Sequence, residues 1–385
     1  MKIGLSIINF LPGKIGGVET YVRNLISNLQ LLDHENDYLL MCDKRCANEF
    51  PLFNPAVKVI KYNSVKPSLG WILRGVGRNM INVDTLQLAI DRLKTDVVHH
   101  PFSVLSPMGL SSPSVLTFWD MQHEFYPDFF SEAELKERRA KYRASADMAT
   151  RIIVSAQFTK DCLVGRYGVD CNKIEVIYTG YGPEYRRIED REALDSIRSK
   201  YGLHKPFLYY PAAIWPHKNH RALLTAYQIL REQHGFEGDL VFTGMALQKK
   251  NALVQEIERL GLTGAVRLLG YLPHEDLPYL YNLASVMVFP SLFEGFGIPL
   301  VEAMACGCPV VCSNVTSLPE VLGEAGLTFD PNSPQQIAET ILSVWSNDSL
   351  IQKMRLKGLE RVKQFNWEST ARQTLEVYKK AASVC

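Results

Sequence analysis

The residues best suited to chemistry lie in Glu294-Gly-Phe-Gly-Ile-Pro-Leu-Val-Glu302, directly after the apolar run that ends Phe289-Pro290-Ser291. Gly295 and Gly297 let the backbone turn tightly and come close to a ligand. Pro299 suits the first turn of a helix and Gly307 suits its end. This places Glu294 in the loop and Glu302 in the first helical turn. The N–H groups at such a helix start attract anions, phosphate above all. Two carboxylates beside a phosphate site serve best as acceptors for the hydroxyls of a sugar and a ribose. The same residues also suit an ordinary strand–turn–helix whose acidic side chains favour the helix start.

A second cluster is Pro211-Ala-Ala-Ile-Trp-Pro-His217-Lys218-Asn-His-Arg221, which joins a strand to a helix. Lys218 then lies at a helix start, where a cation stabilises the charge that develops on a leaving diphosphate. The plain alternative is a solvated basic turn. A third cluster, Thr117-Phe-Trp-Asp120-Met-Gln-His123, also follows a strand. Asp120 is the better candidate for touching substrate, and His123 could orient a hydroxyl by hydrogen bonding; a lone histidine is more often structural. His99 and His100 end another strand, and packing is their favoured explanation.

These residues need a scaffold of strands and helices. Short apolar runs at 3–8, 38–42, 57–62, 96–99, 114–118, 151–155 and 174–178 alternate with helix-period segments such as 18–32, 85–94 and 132–150. The second half repeats the habit, with runs at 207–210, 240–243, 266–269, 286–289, 309–312 and 327–329. Continuous apolar strands separated by helices predict parallel sheets covered on both faces. Two such series are too many for one open sheet. The expected architecture is α/β, with two doubly wound parallel-sheet domains facing across a cleft. The expected domains are residues 1–182 and 183–365, with a final helix at 366–385 crossing back to the first. Ligands of such sheets sit outside the carboxyl ends of the strands.

Composition narrows the partners. The chain has 385 residues, 46% hydrophobic and 22% charged, with 42 Lys plus Arg against 41 Asp plus Glu. A net charge of +1 supplies no global field for nucleic acid. Eight cysteines show no C-x2-C pairing, so buried thiols in a reducing cytosol are expected and not a zinc site or a disulfide framework. No cleavable leader is evident, and no apolar run reaches the roughly 18 residues of a membrane span. A cytoplasmic protein is expected. The basic stretches 132–151 and 64–83 (with Lys66, Trp71, Arg74 and Arg78) offer peripheral contact with anionic lipid at the inner membrane face, although a charge run is usually a solvated face.

The Glu294–Glu302 frame, continued by Glu302-Ala-Met-Ala-Cys-Gly-Cys-Pro-Val-Val311, resembles the signature of retaining glycosyltransferases of family 4, which have the GT-B fold. Gly13-Lys-Ile-Gly16-Gly17-Val-Glu-Thr20 is similar to that family's glycine-rich first loop. Ala156–Lys160, Phe242-Thr-Gly244 and Leu269-Gly270-Tyr271-Leu-Pro273 match further positions, and the likeness covers most of the chain.

The resemblance implies roles. Lys218 and Glu294 would act on the donor diphosphate and donor sugar, and Glu302 would hold the nucleotide ribose. Phe296, Gly297, Ile298 and Leu300 would face the donor, Gly244 would also belong to the donor site, and Gly270 and Tyr271 would mark the strand end whose backbone reads the base. Gly16 and Gly17 would approach from the opposite domain. Two positions depart from the pattern. Ala213 stands where an arginine is common, so His217, Arg221 or Lys14 would supply the second cation, Arg221 first; Trp119 stands where a histidine is common.

The implied activity is hexose transfer, mannose from GDP-mannose first and UDP-sugars next, to a saccharide or lipid-linked saccharide in cell-surface polysaccharide synthesis. No cofactor is implied, because the nucleotide sugar is a substrate, and no DxD-type motif sits at a strand end, which fits metal independence. The rivals are a nucleotide-sugar 2-epimerase of the same fold and a non-catalytic sugar-nucleotide-binding protein.

Overall fold

The computed structural model describes residues 1–13, 16–62, 84–244 and 250–384. The chain forms two compact units, residues 1–180 with 366–385 and residues 181–365, so the break falls two residues before the expected one. The basic stretch 64–83 and Lys14 lie outside the described residues.

The first unit carries β1 (Lys2–Ile7), β2 (Asp37–Asp43), β3 (Val57–Tyr62), β4 (Val97–His100), β5 (Ser114–Phe118), β6 (Arg151–Val154) and β7 (Ile174–Val176). They form one sheet in the order β3-β2-β1-β4-β5-β6-β7, with parallel pairing throughout. β4 and β5 are buried along their whole length, as a sheet covered on both faces requires. The order reverses direction between β1 and β4, which opens a crevice at their carboxyl ends.

Helix α1 (Gly17–Leu32) follows β1 and buries Tyr21, Val22, Leu25, Ile26 and Leu29, one face of a 3.6-residue period. Helix α2 (Glu132–Met148) starts on a reciprocal cap between Ser131 and Glu134 and buries only Ser145 and Ala146. Three of its basic side chains pair with acids: Arg139 with Glu124 at 3.1 Å, Lys141 with Glu137, and Arg143 with Asp147 at 3.9 Å.

The second unit carries β8 (Phe207–Pro211), β9 (Asp239–Thr243), β10 (Val266–Gly270), β11 (Val286–Phe289), β12 (Val310–Ser313) and β13 (Gly326–Phe329). Their order is β10-β9-β8-β11-β12-β13, again with parallel pairing. Here the winding reverses between β8 and β11. Its helices include α3 (His220–His234), α4 (Lys250–Arg259), α5 (Leu277–Leu283) and α6 (Ile298–Ala305).

The chain then returns to the first unit as α7 (Trp367–Ala382). Its buried residues Trp367, Ala371, Thr374, Tyr378 and Ala381 recur every three or four positions, a stripe that closes the first unit's core. Thr370 donates to the Tyr178 carbonyl at 2.7 Å and Lys380 pairs with Glu175 at 2.6 Å. Among the described residues, no helix is long and apolar enough to cross a membrane.

Candidate active site

The second unit's crevice is built by the two loops that leave β8 and β11. After β8 the chain makes a tight turn at Pro216–Lys218 and passes through Asn219 at φ 57°. The Asn219 side chain donates to the carbonyls of Pro290 (3.1 Å) and Pro331 (2.8 Å), pinning the turn beside the end of β11. The Tyr210 hydroxyl donates to the Lys218 carbonyl at 2.7 Å, and the Leu292 N–H to the His217 carbonyl at 2.7 Å. So held, the Lys218 ammonium reaches Glu294 Oε1 at 2.5 Å, with the two side chains 18% and 13% exposed. A charge-assisted bond at that depth is strong, and losing one member strands the other charge.

Glu294 is presented by a loop clamped from β12's side. The Thr316 hydroxyl accepts from the Glu294 N–H at 3.2 Å. The fully buried Ser317 hydroxyl donates to the carbonyls of Glu294 (3.1 Å) and Phe296 (2.9 Å). Gly297 sits at φ 105°, where a Cβ would come within 2.8 Å of Leu318, so only glycine begins α6 without strain. Phe296 and Leu300 turn their side chains inward, Phe296 against Phe365 at 5.7 Å between ring centres. Ile298 stays half-buried at the first position of α6. The expected donor contacts of this segment therefore fall to its backbone and to the N-terminal end of α6.

Glu302 lies in the second turn of α6 and not the first, because the helix starts at Ile298. The Tyr281 hydroxyl donates to its Oε2 at 2.8 Å. Burial pushes the Glu302 carboxyl up to about 7, opposed by hydrogen bonds from Tyr281 and Tyr185 and reinforced by Glu184. Gly244 and Gly270, both with positive φ, join the ends of β9 and β10 through the Gly244 N–H and the Gly270 carbonyl at 2.9 Å. Tyr271 follows them and is 79% exposed.

The second cation expected near Lys218 is not brought there by either described candidate. Arg221 is 83% exposed and leans to Glu256 on α4, Nε to Oε1 3.7 Å. His217 is held down to about 4 by burial and by Lys218, so it is neutral at pH 7. A cavity of about 730 Å³ opens beside the turn, lined by Ile214, Trp215, Pro216, Arg221, Leu253 and Glu256.

In the first unit, Gly16 caps α1 at φ 52°, and Gly17 is the helix's first residue. The loop is braced by Glu19, which accepts from the Gly13 N–H at 2.7 Å and pairs with Arg23, itself paired with Glu49. Asp120 Oδ1 accepts from the Gln122 N–H at 3.0 Å, and its side chain is half-buried after β5. Trp119 donates to the Pro101 carbonyl at 2.8 Å and lies edge-on to Tyr21.

His123 corrects an expectation. It is 1% exposed, bonded to the Tyr167 hydroxyl at 3.1 Å and packed on Tyr142, so its ring sits in the first unit's core and not at its surface. His99 is likewise committed, between the Tyr378 and Thr117 hydroxyls at 2.7 Å each, and His100 accepts from the Ser106 N–H.

Four side chains that build the site were not anticipated. Thr316 and Ser317 carry hydroxyls at the end of β12, and only the strand order reveals that this strand neighbours β11. Tyr185 and Tyr281 come from two segments distant in sequence from Glu302.

Residues 15–185 match the family described as Glycosyltransferase Family 4, and residues 195–361 match the one described as Glycosyl transferases group 1. The chain is 34% identical over 284 residues to O-antigen chain mannosyltransferase B of Escherichia coli, covering 74% of each. Among solved structures it resembles sucrose-phosphate synthase of Thermosynechococcus elongatus, with a TM-score of 0.79 at 20% identity and all of both chains covered. It also resembles Anabaena HepE in complex with UDP and glucose, with a TM-score of 0.76 at 19% identity over 98% of this chain and 99% of that one.

Proposed function

We propose that this chain, which belongs to glycosyltransferase family 4, moves mannose from GDP-mannose onto a saccharide or lipid-linked saccharide during cell-surface polysaccharide synthesis, with retention at the anomeric carbon and without a metal ion. The observation that carries the reading is the Lys218–Glu294 pair at the reversal point of the second sheet. The choice of mannose leans on the likeness to O-antigen chain mannosyltransferase B.

In this reading the donor exchanges the internal pair for two external ones. The diphosphate takes Lys218 together with the positive end of α6, and hydroxyls of the sugar take Glu294. As the bond from C1 to the phosphate oxygen breaks, negative charge grows on the diphosphate, where Lys218 stabilises it. The acceptor hydroxyl attacks C1 on the face that the diphosphate leaves and gives its proton to a phosphate oxygen. Neither glutamate acts as a nucleophile, unlike the paired carboxylates of a retaining glycosidase. Asp120 contacts the acceptor. A lipid-linked acceptor would bring peripheral contact with a membrane face.

The test is product formation. The purified chain is given GDP-mannose or UDP-glucose with a mannose-terminated acceptor, in the presence and absence of EDTA, and the new linkage is read by NMR. An α-linked mannose formed equally well with EDTA is expected. Donor consumed without an acceptor would favour the epimerase, and nucleotide binding with no turnover would sink the enzyme reading.

A further inference from the structure

We infer that Tyr281 and Tyr185 are positioning residues for ribose recognition: they fix the Glu302 carboxylate in one orientation and so set a preference for ribonucleotide over 2′-deoxyribonucleotide donors. The inference rests on the assignment of Glu302 to the donor ribose.

The two phenols reach Glu302 from different segments. Tyr281 lies on α5, is 1% exposed and donates to Oε2 at 2.8 Å. Tyr185 lies in the stretch that opens the second unit, is 3% exposed, packs on the Tyr281 ring and sits close enough to the carboxylate to hold its pKa down. Each phenol is itself fixed. The Tyr281 ring meets Tyr209 edge-on at 5.2 Å and Tyr185 at 5.9 Å. Asn282 ties the Tyr185 stretch to α5, donating to the Arg186 carbonyl at 2.9 Å and accepting from the Ile188 N–H at 2.8 Å.

Two rigid, neutral phenols, one donating directly and one packed behind it, suit this task better than a cation would. They remove the rotational freedom of a flexible side chain while leaving its negative charge uncompensated. A carboxylate offers about four acceptor sites, so two tyrosines leave capacity for a ribose diol. They also oppose the burial that favours the protonated carboxyl.

The experiment measures Kd for GDP, 2′-deoxy-GDP, UDP and 2′-deoxy-UDP by calorimetry at pH 8, for wild type, E302Q, Y281F and Y185F. A hydrogen bond to a charged group predicts that wild type favours the better-bound ribonucleotide by about 30-fold. E302Q should reduce that ratio to about threefold or less, and each tyrosine variant to roughly three- to tenfold. A ratio that stays at the wild-type value in both folded tyrosine variants, while their melting temperatures fall, makes these residues packing only and overturns the inference alone. A wild type that does not distinguish the sugars overturns the ribose assignment together with it. Y185F provides an independent reading if Y281F fails to fold.

Discussion

The two sheets use their polar strand-end residues in opposite ways. After β8 and β11, Lys218 and Glu294 meet each other at the mouth of the second unit's crevice, still partly exposed and able to take new partners. At the end of β4 and after β5, His99, His100 and His123 are turned inward, each with a hydrogen-bond partner inside the first unit. Polar residues near strand carboxyl ends thus form a partly exposed ion pair in one unit and buried hydrogen bonds in the other. Ligands of open α/β sheets bind outside the strands' carboxyl ends, so such residues are the candidates. Whether the side chain points into the crevice or into the layer decides the rest.

The largest test of this contrast is removal of Lys218. K218A should lower turnover by about 10²- to 10³-fold, the usual loss when one group stabilising transition-state charge is deleted. E294Q frees Lys218 from its partner, so it should bind GDP or UDP more tightly, by about tenfold, while transfer of the sugar falls. Unchanged turnover in K218A, with the fold intact by circular dichroism, would falsify the site.

The first unit should answer to acid instead. Burial depresses His99 and His100 to about 3 and His123 to about 4, from 6.5. A histidine depressed in the folded state binds protons more readily when unfolded. Its contribution is therefore complete above pH 6.5 and is lost as pH falls towards 3 to 4. Each should cost about 2 kcal/mol by pH 5. Urea unfolding at pH 7 and pH 5 reads the loss, and H123F should remove one share of it while turnover stays within about twofold. Loss of turnover in H123F with unfolding unchanged would return His123 to the chemistry.

A smaller effect belongs to Glu302. With its carboxyl raised to about 7, nucleotide affinity should decline severalfold from pH 8 to pH 6, and E302Q should show a flat profile. A wild-type affinity that does not change over that range would contradict the anionic carboxylate as the binding form. The smallest effect is expected from R221A, because Arg221 is exposed and turned to Glu256; turnover should stay within about twofold, as for most surface changes. A larger loss would place Arg221 beside Lys218 after all.

How far the sequence could be read follows from the same physics. Strands buried on both faces are continuous apolar runs, and the expected 57–62, 114–118 and 286–289 coincide with β3, β5 and β11. Glycine, proline and two glutamates at fixed spacing revealed the α6 loop, because their backbone demands are local. The Lys218 turn was legible for the same reason. Thr316, Ser317, Tyr185 and Tyr281 were hidden because hydroxyls are common and their value depends on which strand lies beside which. His123 misled because its burial by Tyr142 and Tyr167 is a tertiary property. Glu302 is expected in the first turn, but with Pro299 in that turn and the Leu300 N–H already bonded to the Gly297 carbonyl, position 302 falls in the second.

The path of α7 bears on how the protein is made. A Cβ on Gly180 would lie 2.4 Å from the Trp367 nitrogen, so the chain leaves the first unit and comes back to it at nearly one point. Everything between is the second unit, unbroken in sequence. During synthesis that inserted unit is complete while the earlier sheet still lacks the stripe of Trp367, Tyr378 and Ala381. Domains fold as units as the chain emerges, so the first one begun is the last one finished. Until then His99 waits without Tyr378, and an apolar face stays open to chaperones or to a neighbouring nascent chain.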